Sequence, residues 1–254
     1  GSIGLSVAAH NTLCTNHILK FGNEEQKKKW LPKLATAEWI GAWGLTEPGT
    51  GTDAGRMQCV AKQDGDHWVI NGAKTFITHG KSGDCIVVIV RTGELLDSRG
   101  MTAFVVERGT EGFRAGKKED KLGLRGSNTC ELIFEDMRIP KENLISGLEG
   151  EGFKISMGVF NSGRIGIGVQ GVGIAQAAFD ECLKYVQERE QFGRKLFKLQ
   201  AISFKLSDMA TKIQAARLLC YHAAYIKDMG RRYVKAAAMA KLYVSDIAME
   251  VTRD

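Results

Sequence analysis

The spacing of hydrophobic and polar positions changes twice along the chain and divides it into three parts. Up to residue 36, apolar residues recur at helical spacing, and from 37 to 148 short strand-forming segments alternate with turn residues. From 149 to 254 the helical spacing returns in long runs. The pattern predicts an α+β multidomain fold, in which a central antiparallel β-sandwich or barrel is followed by an up-and-down helical bundle.

Two helices are expected in the first part. The first covers residues 1–21 and is capped by Gly22, and a capping box formed by Asn23 and Gln26 opens the second. We expect this second helix to stop at Pro32, because the residue before a proline disfavours the helical conformation.

Short strands are expected in the middle part, after an apolar approach at 39–43. They are 58–62, 67–70, 74–78, 85–91, 102–107, 113–118 and 130–137. Asp64-Gly65 and Asn71-Gly72 each stand between strand-forming residues, so both predict hairpins. The continuous apolar run 85–90 predicts a strand buried on both faces, and 123–127 is expected to be a loop.

Long helices are expected in the last part, at 152–190, at 198–229 and from 231 to the last residue. The first of them carries several glycines, each costing about 1 kcal/mol relative to alanine. They are Gly158, Gly163, Gly166, Gly168, Gly171 and Gly173. We favour close helix packing as the reason, and room for a ligand beside Gly163 is the alternative. Because three antiparallel helices bury their apolar faces poorly, the chain looks cut off at its C-terminus.

Composition narrows the class of protein. The chain has 254 residues, 44% of them hydrophobic and 25% charged, which is typical of a globular protein. The net charge of +6 is modest and no basic stripe carries interleaved aromatic residues, so nucleic acid is not the expected partner; an anionic small ligand fits. No apolar run is long enough for a membrane span. The scattered cysteines, without metal-ligand spacing, are expected to be reduced thiols, and no metal site is expected.

One stretch stands out as a candidate ligand loop. An apolar approach that includes Trp43 runs into Thr46-Glu47-Pro48, and Gly49 and Gly51 then free the backbone to turn. Exposed N–H groups in such a turn suit a polar or anionic partner. An ordinary glycine-rich loop is the alternative, and the phosphate-loop and dinucleotide fingerprints are both absent.

A resemblance decides between these interpretations. Leu-Thr-Glu-Pro-Gly-Thr-Gly-Thr-Asp at 45–53, together with Asn-Gly-Ala-Lys-Thr-Phe-Ile-Thr at 71–78, resembles the acyl-CoA dehydrogenase family of flavoenzymes. The resemblance covers essentially the whole chain and implies a family member truncated at both ends. It implies the last helices of an N-terminal helical domain at 1–36, a middle β domain at 37–148 and an incomplete C-terminal helical domain at 149–254.

The resemblance implies a reaction. Family members oxidise the Cα–Cβ bond of an acyl-CoA thioester: a carboxylate removes the α-proton, and the β-hydrogen leaves as hydride to N5 of FAD. It also implies a homotetramer, an electron-transferring flavoprotein as acceptor, and a short-chain (butyryl-type) or branched short-chain substrate in β-oxidation. An acyl-CoA oxidase of the same fold and a non-catalytic scaffold are the alternatives. The compartment would be the cytoplasm in a bacterium or the mitochondrial matrix in a eukaryote.

The resemblance also implies a flavin site. The residues that would hold the cofactor are Trp43, Leu45, Thr46, Thr52, Phe76, Ile77, Thr78, Arg189, Phe192 and Gln200. Leu45 and Thr46 would lie beside the pyrimidine end of the ring and the Thr78 hydroxyl at N5, although Thr78 could equally be a good strand residue. Most of the family has Trp where this chain has Phe76.

The remaining implied roles concern CoA and the second half of FAD. Thr52, Asn161 and Arg164 would touch the acyl-CoA, although Arg164 could instead form a structural ion pair. Arg189 would meet the flavin pyrophosphate, with Phe192 and Gln200 on the adenosine side, across a subunit interface. Without the resemblance, this last segment is a helix end with Gly193 as its cap.

No catalytic residue is expected within the chain. In most of the family the catalytic Glu lies in a region expected beyond Asp254, and in a minority it stands at the position of Gly163. We therefore expect an active parent protein and an inactive 254-residue chain.

Overall fold

The computed structural model describes residues 1–254, except for the side chain of Ser98. The chain forms two compact units, one of residues 2–160 and one of residues 161–254 together with Gly1. The predicted three-part division at 36 and 148 stays a prediction.

The first unit begins with helices and continues with a β-sheet. The helices are α1 (Ser2–Ala9), a π-helical turn (His10–Thr15), α2 (Asn16–Phe21) and α3 (Glu24–Ala35). The strands are β1 (Gly41–Gly44), β2 (Val60–Asp64), β3 (His67–Thr78), β4 (Cys85–Arg91), β5 (Met101–Glu107), β6 (Phe113–Lys118) and β7 (Thr129–Pro140). This order of helices and strands confirms the predicted mixed architecture.

Hydrogen bonding joins the strands into one sheet in the order β1-β4-β2-β3-β7-β6, and β5 pairs with β4. Most pairs are antiparallel, as predicted. Two pairs are parallel, β1 with β4 and β2 with β4. The sheet curls into a half-barrel.

The middle of β3 corrects one prediction. Asp64-Gly65 forms the hairpin between β2 and β3, but Asn71-Gly72 forms none, and β3 runs on to Thr78. A Cβ on Gly72, whose φ is +134°, would lie 2.7 Å from the Cα of Cys59, so the glycine permits close approach of two strands. The pairing of β3 with β7 holds the strand together across this irregularity.

Helix α3 corrects a second prediction. The capping box is present, with the Gln26 amide donating to Asn23 Oδ1 at 2.8 Å. The helix does not stop at Pro32 but continues to Ala35. Pro32 costs one helical hydrogen bond, and the burial of Trp30 and Leu34 on either side of it compensates for that loss.

Strand β4 lies at the centre of the first unit. Alternate residues of β4 enter two apolar clusters, with Ile86 and Val88 in one and Val87 and Ile89 in the other. Every residue of the strand is buried, as the apolar run predicted.

The second unit is helical. It contains most of α4 (Gly152–Glu188), then β8 (Glu190–Gln191), β9 (Arg194–Lys195), α5 (Gln200–Asp228) and α6 (Val234–Arg253). A Cβ on Gly168 would lie 3.0 Å from Cys220 Sγ, and one on Gly171 would lie 2.6 Å from Val244 Cγ1. Close packing therefore explains these two glycines. None of the described helices is both long and apolar enough to cross a membrane.

Candidate functional site

The loop after β1 is closed by its own backbone. The Glu47 amide donates to Thr50 O at 2.9 Å, the Thr50 amide donates back to Glu47 O at 3.2 Å, and the Thr50 hydroxyl donates to Asp53 O at 2.5 Å. A Cβ at Gly49 or Gly51 would have no neighbour within 4 Å. The loop is therefore a tight turn whose tip is open for approach.

A buried ion pair holds this loop from beneath. Lys74 Nζ lies 2.7 Å from Glu47 Oε1, and the two side chains are 0% and 5% exposed. The same carboxylate accepts the amides of Gln58 at 2.6 Å and Cys59 at 3.0 Å. Burial lowers the pKa of Lys74, an effect that the neighbouring carboxylate opposes. Glu47 is thus fully engaged in the protein interior and is excluded as a proton-abstracting base.

The second predicted segment contains a β-bulge. Lys74 pairs with Leu132 and Ile77 with Cys130, so the two residues between Lys74 and Ile77 face a single residue of β7. The amide of Thr75 leaves the ladder and donates to Thr46 O at 2.8 Å. This bond joins the two segments that the sequence analysis predicted to form one site.

The bulge also presents an aromatic ring. Phe76 has a φ of +58°, which is unfavourable for a large side chain, and it is 64% exposed. Non-glycine residues in such a conformation cluster at ligand sites. An exposed aromatic ring beside an open loop suits a flat ligand.

The other predicted cofactor residues of this unit differ in what they expose. The side chains of Leu45 and Ile77 are buried in the apolar clusters, so neither side chain faces a ligand. Thr46 and Thr78 are half-buried, and Thr52 is exposed. The structure therefore brings Thr46 together with the bulge at Phe76 and keeps hydroxyls accessible on both segments.

Trp43 is held by a residue that the sequence analysis did not identify. Its indole Nε1 donates to His17 Nδ1 at 3.1 Å, and its ring packs edge-on against Phe160 at 5.0 Å. His17 is fully buried, which lowers its pKa to about 4. A single histidine in an apolar helix gives no local signal of such a role.

Two predicted acyl-CoA residues lie one helical turn apart in α4. Arg164 donates to Asn161 Oδ1 at 2.5 Å. Its partner is a neutral amide, so the two residues form a hydrogen bond and not an ion pair. Both residues are half-buried. Next to them, Ser162 Oγ lies 3.0 Å from Tyr233 Oη, which ties α4 to the start of α6.

The remaining predicted cofactor residues follow α4. The helix ends at Glu188, and β8 and β9 then form a hairpin through Phe192 and Gly193, whose φ values are +53° and +70°. Phe192 is 89% exposed, and Arg189 and Gln200 are also exposed. Instead of only capping the helix, Gly193 therefore completes a turn that presents an aromatic side chain.

Family models match three consecutive parts of the chain. The N-terminal domain of acyl-CoA dehydrogenase matches residues 1–38, the middle domain 42–137 and the C-terminal domain 150–254. The chain belongs to the acyl-CoA dehydrogenase family. FAD is the cofactor of this family.

Individual acyl-CoA dehydrogenases are similar along the whole chain. The short-chain-specific acyl-CoA dehydrogenase of Clostridium acetobutylicum is 49% identical over 252 residues, which cover 99% of this chain and 66% of that protein. The butyryl-CoA dehydrogenase structure from Megasphaera elsdenii has a TM-score of 0.97 at 45% identity and covers 99% of this chain and 66% of its own.

A third match comes from a structure that describes an electron-transferring flavoprotein of Acidaminococcus fermentans. It has a TM-score of 0.97 at 51% identity and covers 100% of this chain and 66% of its own. The chain thus spans about two thirds of the length of these relatives. Relatives occur in bacteria and in mitochondria. Those named as enzymes are dehydrogenases, which does not favour the oxidase alternative.

Proposed function

We propose that this chain forms the flavin-binding part of an FAD-dependent, short-chain acyl-CoA dehydrogenase. The observation that carries the proposal is the hydrogen bond from the Thr75 amide to Thr46 O, because it joins the loop after β1 to the bulge of β3. The similarity to short-chain dehydrogenases supports an acyl-CoA substrate with a short chain.

Bound FAD would supply the acceptor for the β-hydrogen of the acyl group, which leaves as a hydride, and a base would take the α-proton. Thr46 and Thr78 supply hydroxyl donors to the ring, and a preorganised donor stabilises the negative charge that the reaction places there. Trp43 and Phe76 supply aromatic surface. Arg189, Phe192 and Gln200, contributed across a subunit interface, take the pyrophosphate and adenosine portions of FAD. The exposure of all three supports this assignment.

Contacts with the CoA portion of the substrate are assigned to Thr52, Asn161 and Arg164. Arg164 is a half-buried cation whose hydrogen-bond partner Asn161 is neutral, so its charge stays available to an anionic CoA group. Proton abstraction is assigned to no residue between 1 and 254. Glu47 is unsuitable because Lys74 and two backbone amides occupy its carboxylate.

The assembly and partners of the whole protein belong to the same proposal. A homotetramer would complete the FAD sites, and an electron-transferring flavoprotein would take the electrons onward in fatty acid oxidation. The matching chain in a structure that describes such a flavoprotein supports this partner. The compartment would be the cytoplasm of a bacterium or the mitochondrial matrix of a eukaryote.

A spectroscopic titration tests the proposal. The whole protein, purified with its flavin, is expected to be yellow, and anaerobic butyryl-CoA is expected to bleach its flavin absorbance more completely than a long-chain acyl-CoA. Thr46→Val removes a hydroxyl donor to the ring and should slow the bleaching, whereas Thr36→Val, an exposed position on another element, should not. A protein that takes up no flavin would support the scaffold alternative and refute the proposal, and rapid peroxide formation in air would favour the oxidase.

A further inference from the structure

We infer that Lys74 is a positioning residue that aims the backbone amide of Thr46 at the cofactor. The inference rests on the proposed function and adds to it a residue whose side chain is fully buried. Lys74 acts from the interior of the first unit by fixing the loop after β1, and its buried side chain does not itself contact substrate or cofactor.

The carbonyl groups of two consecutive residues, Leu45 and Thr46, are both held by hydrogen bonds. Lys74 Nζ donates to Leu45 O at 3.1 Å, and the next carbonyl, that of Thr46, accepts from the Thr75 amide at 2.8 Å. In an extended strand successive carbonyls point in opposite directions, whereas here both accept hydrogen bonds from residues of β3, one from a side chain and one from the backbone. The Lys74 ammonium supplies the partner that the Leu45 carbonyl would otherwise lack.

The direction of the Thr46 N–H follows from the geometry of the peptide bond. In a planar trans peptide the N–H points opposite to the C=O. Because the Leu45 carbonyl points at Lys74, the Thr46 N–H points away from it. The Thr46 amide donates no hydrogen bond to any part of the chain that the structure describes, which is residues 1–254 without the side chain of Ser98. This N–H is therefore available as a donor beside the Thr46 hydroxyl.

A lysine at position 74 is chemically costly. A buried ammonium group is costly unless it is hydrogen-bonded and paired, whereas a methionine of similar length would fill the same space without that cost. Lys74 bridges Leu45 O and the Glu47 carboxylate, which lie on either side of Thr46. The ion pair therefore fixes the backbone on both sides of the residue that faces the cofactor.

The test compares variants of the FAD-loaded protein. Lys74→Met removes both hydrogen bonds of the ammonium group, to Leu45 O and to Glu47. Glu47→Gln keeps the lysine and its bond to the Leu45 carbonyl. Ile70→Ala is the control, because Ile70 is a buried residue of the same strand whose strand partners are Ala61 and Met137. Readouts are the dissociation constant of FAD, the flavin midpoint potential, and hydrogen–deuterium exchange of the segment around Thr46 in the apoprotein.

Lys74→Met is expected to weaken FAD binding about tenfold or more, the size of one hydrogen bond lost at the ring. A tenfold greater loss for reduced than for oxidised flavin would lower the potential by about 30 mV. Exchange around Thr46 should increase, and Glu47→Gln should lose less affinity than Lys74→Met. Should Lys74→Met not fold, Lys74→Gln, whose side chain is too short to reach both acceptors, is expected to show the same changes to a smaller extent.

Two results would overturn the inference. If Lys74→Met loses thermal stability like Ile70→Ala but keeps its FAD affinity, potential and exchange, the lysine is merely structural. If Glu47→Gln impairs FAD binding as much as Lys74→Met, the intact ion pair, and not the bond from the lysine to the Leu45 carbonyl, holds the loop in place. Wild-type protein that binds no FAD would refute the proposed function and this inference with it.

Discussion

Lowering the pH from 7 to 5 is expected to destabilise the protein through His17. The ring lies among Phe21 and Trp43, at centroid distances of 5.8 and 6.4 Å. Its Nδ1 accepts the Trp43 indole, so Nε2 carries the hydrogen, and no acceptor for Nε2 lies within the described residues. A proton added to this ring would place a charge in an apolar site without compensation, which is why burial lowers its pKa from 6.5 to about 4.

The sign follows from proton uptake. As the pH falls below 6.5, His17 takes up a proton in the unfolded chain, whereas in the folded chain it stays neutral until about pH 4. The contribution to stability is therefore complete above pH 6.5 and is lost between 6.5 and 4. Between pH 7 and 5 the free energy of unfolding should fall by about 2 kcal/mol from this group, at about 1.4 kcal/mol for each unit of pKa difference.

Urea unfolding of the wild type and of His17→Gln, followed by circular dichroism at pH 7 and pH 5, measures this contribution. Glutamine keeps an acceptor for the Trp43 indole and removes the titrating ring, while every other histidine is the same in both proteins. The wild type should lose about 2 kcal/mol more than the variant between the two pH values. Equal losses in the two proteins would show that His17 is not a buried neutral imidazole and would refute the reasoning.

Two further predictions concern backbone conformation. Gly72→Ala should lower the free energy of unfolding by about 2 to 4 kcal/mol, because a Cβ would lie 2.7 Å from the Cα of Cys59. Gly65→Ala, with φ +60° and no neighbour within 4 Å, should lower it by only about 1 kcal/mol. Equal losses of stability in thermal unfolding would contradict the role of close approach. Phe192→Asn should stabilise the hairpin after α4 by relieving a φ of +53°, and should weaken FAD binding, measured by flavin release; unchanged affinity would remove Phe192 from the proposed site.

The parts of the fold that could be predicted are those with local signals. The capping box at Asn23, the turn at Asp64-Gly65 and the buried run of β4 are each specified by a few adjacent residues. Asn71-Gly72 has the same local chemistry as a hairpin turn, but pairing with β7 keeps β3 extended there. A dipeptide carries no information about the strand that will lie beside it, so this prediction was wrong.

The polar contacts of the site lie beyond local reach for the same reason. Lys74 meets Glu47 across 27 positions of sequence, and Trp43 meets His17 across 26. No spacing rule of helices or strands connects residues so far apart. The motifs around Thr46 and Phe76 could be found only because a resemblance linked them, and the bond between Thr46 and Thr75 then gives that link a physical form.

The structure also divides the residues implied by the resemblance according to how they can act. Leu45 and Ile77 are 9% and 3% exposed, so their side chains contribute to packing and not to contacts with a cofactor. Thr46 has both an accessible hydroxyl and an amide without a partner among the described residues, and its neighbours on either side are tied to Lys74. Buried residues therefore determine the orientation of the loop, and exposed residues determine what it binds. A substitution of a buried residue beneath the loop should therefore change the affinity for the cofactor or its midpoint potential, although every residue that faces the cofactor is unchanged.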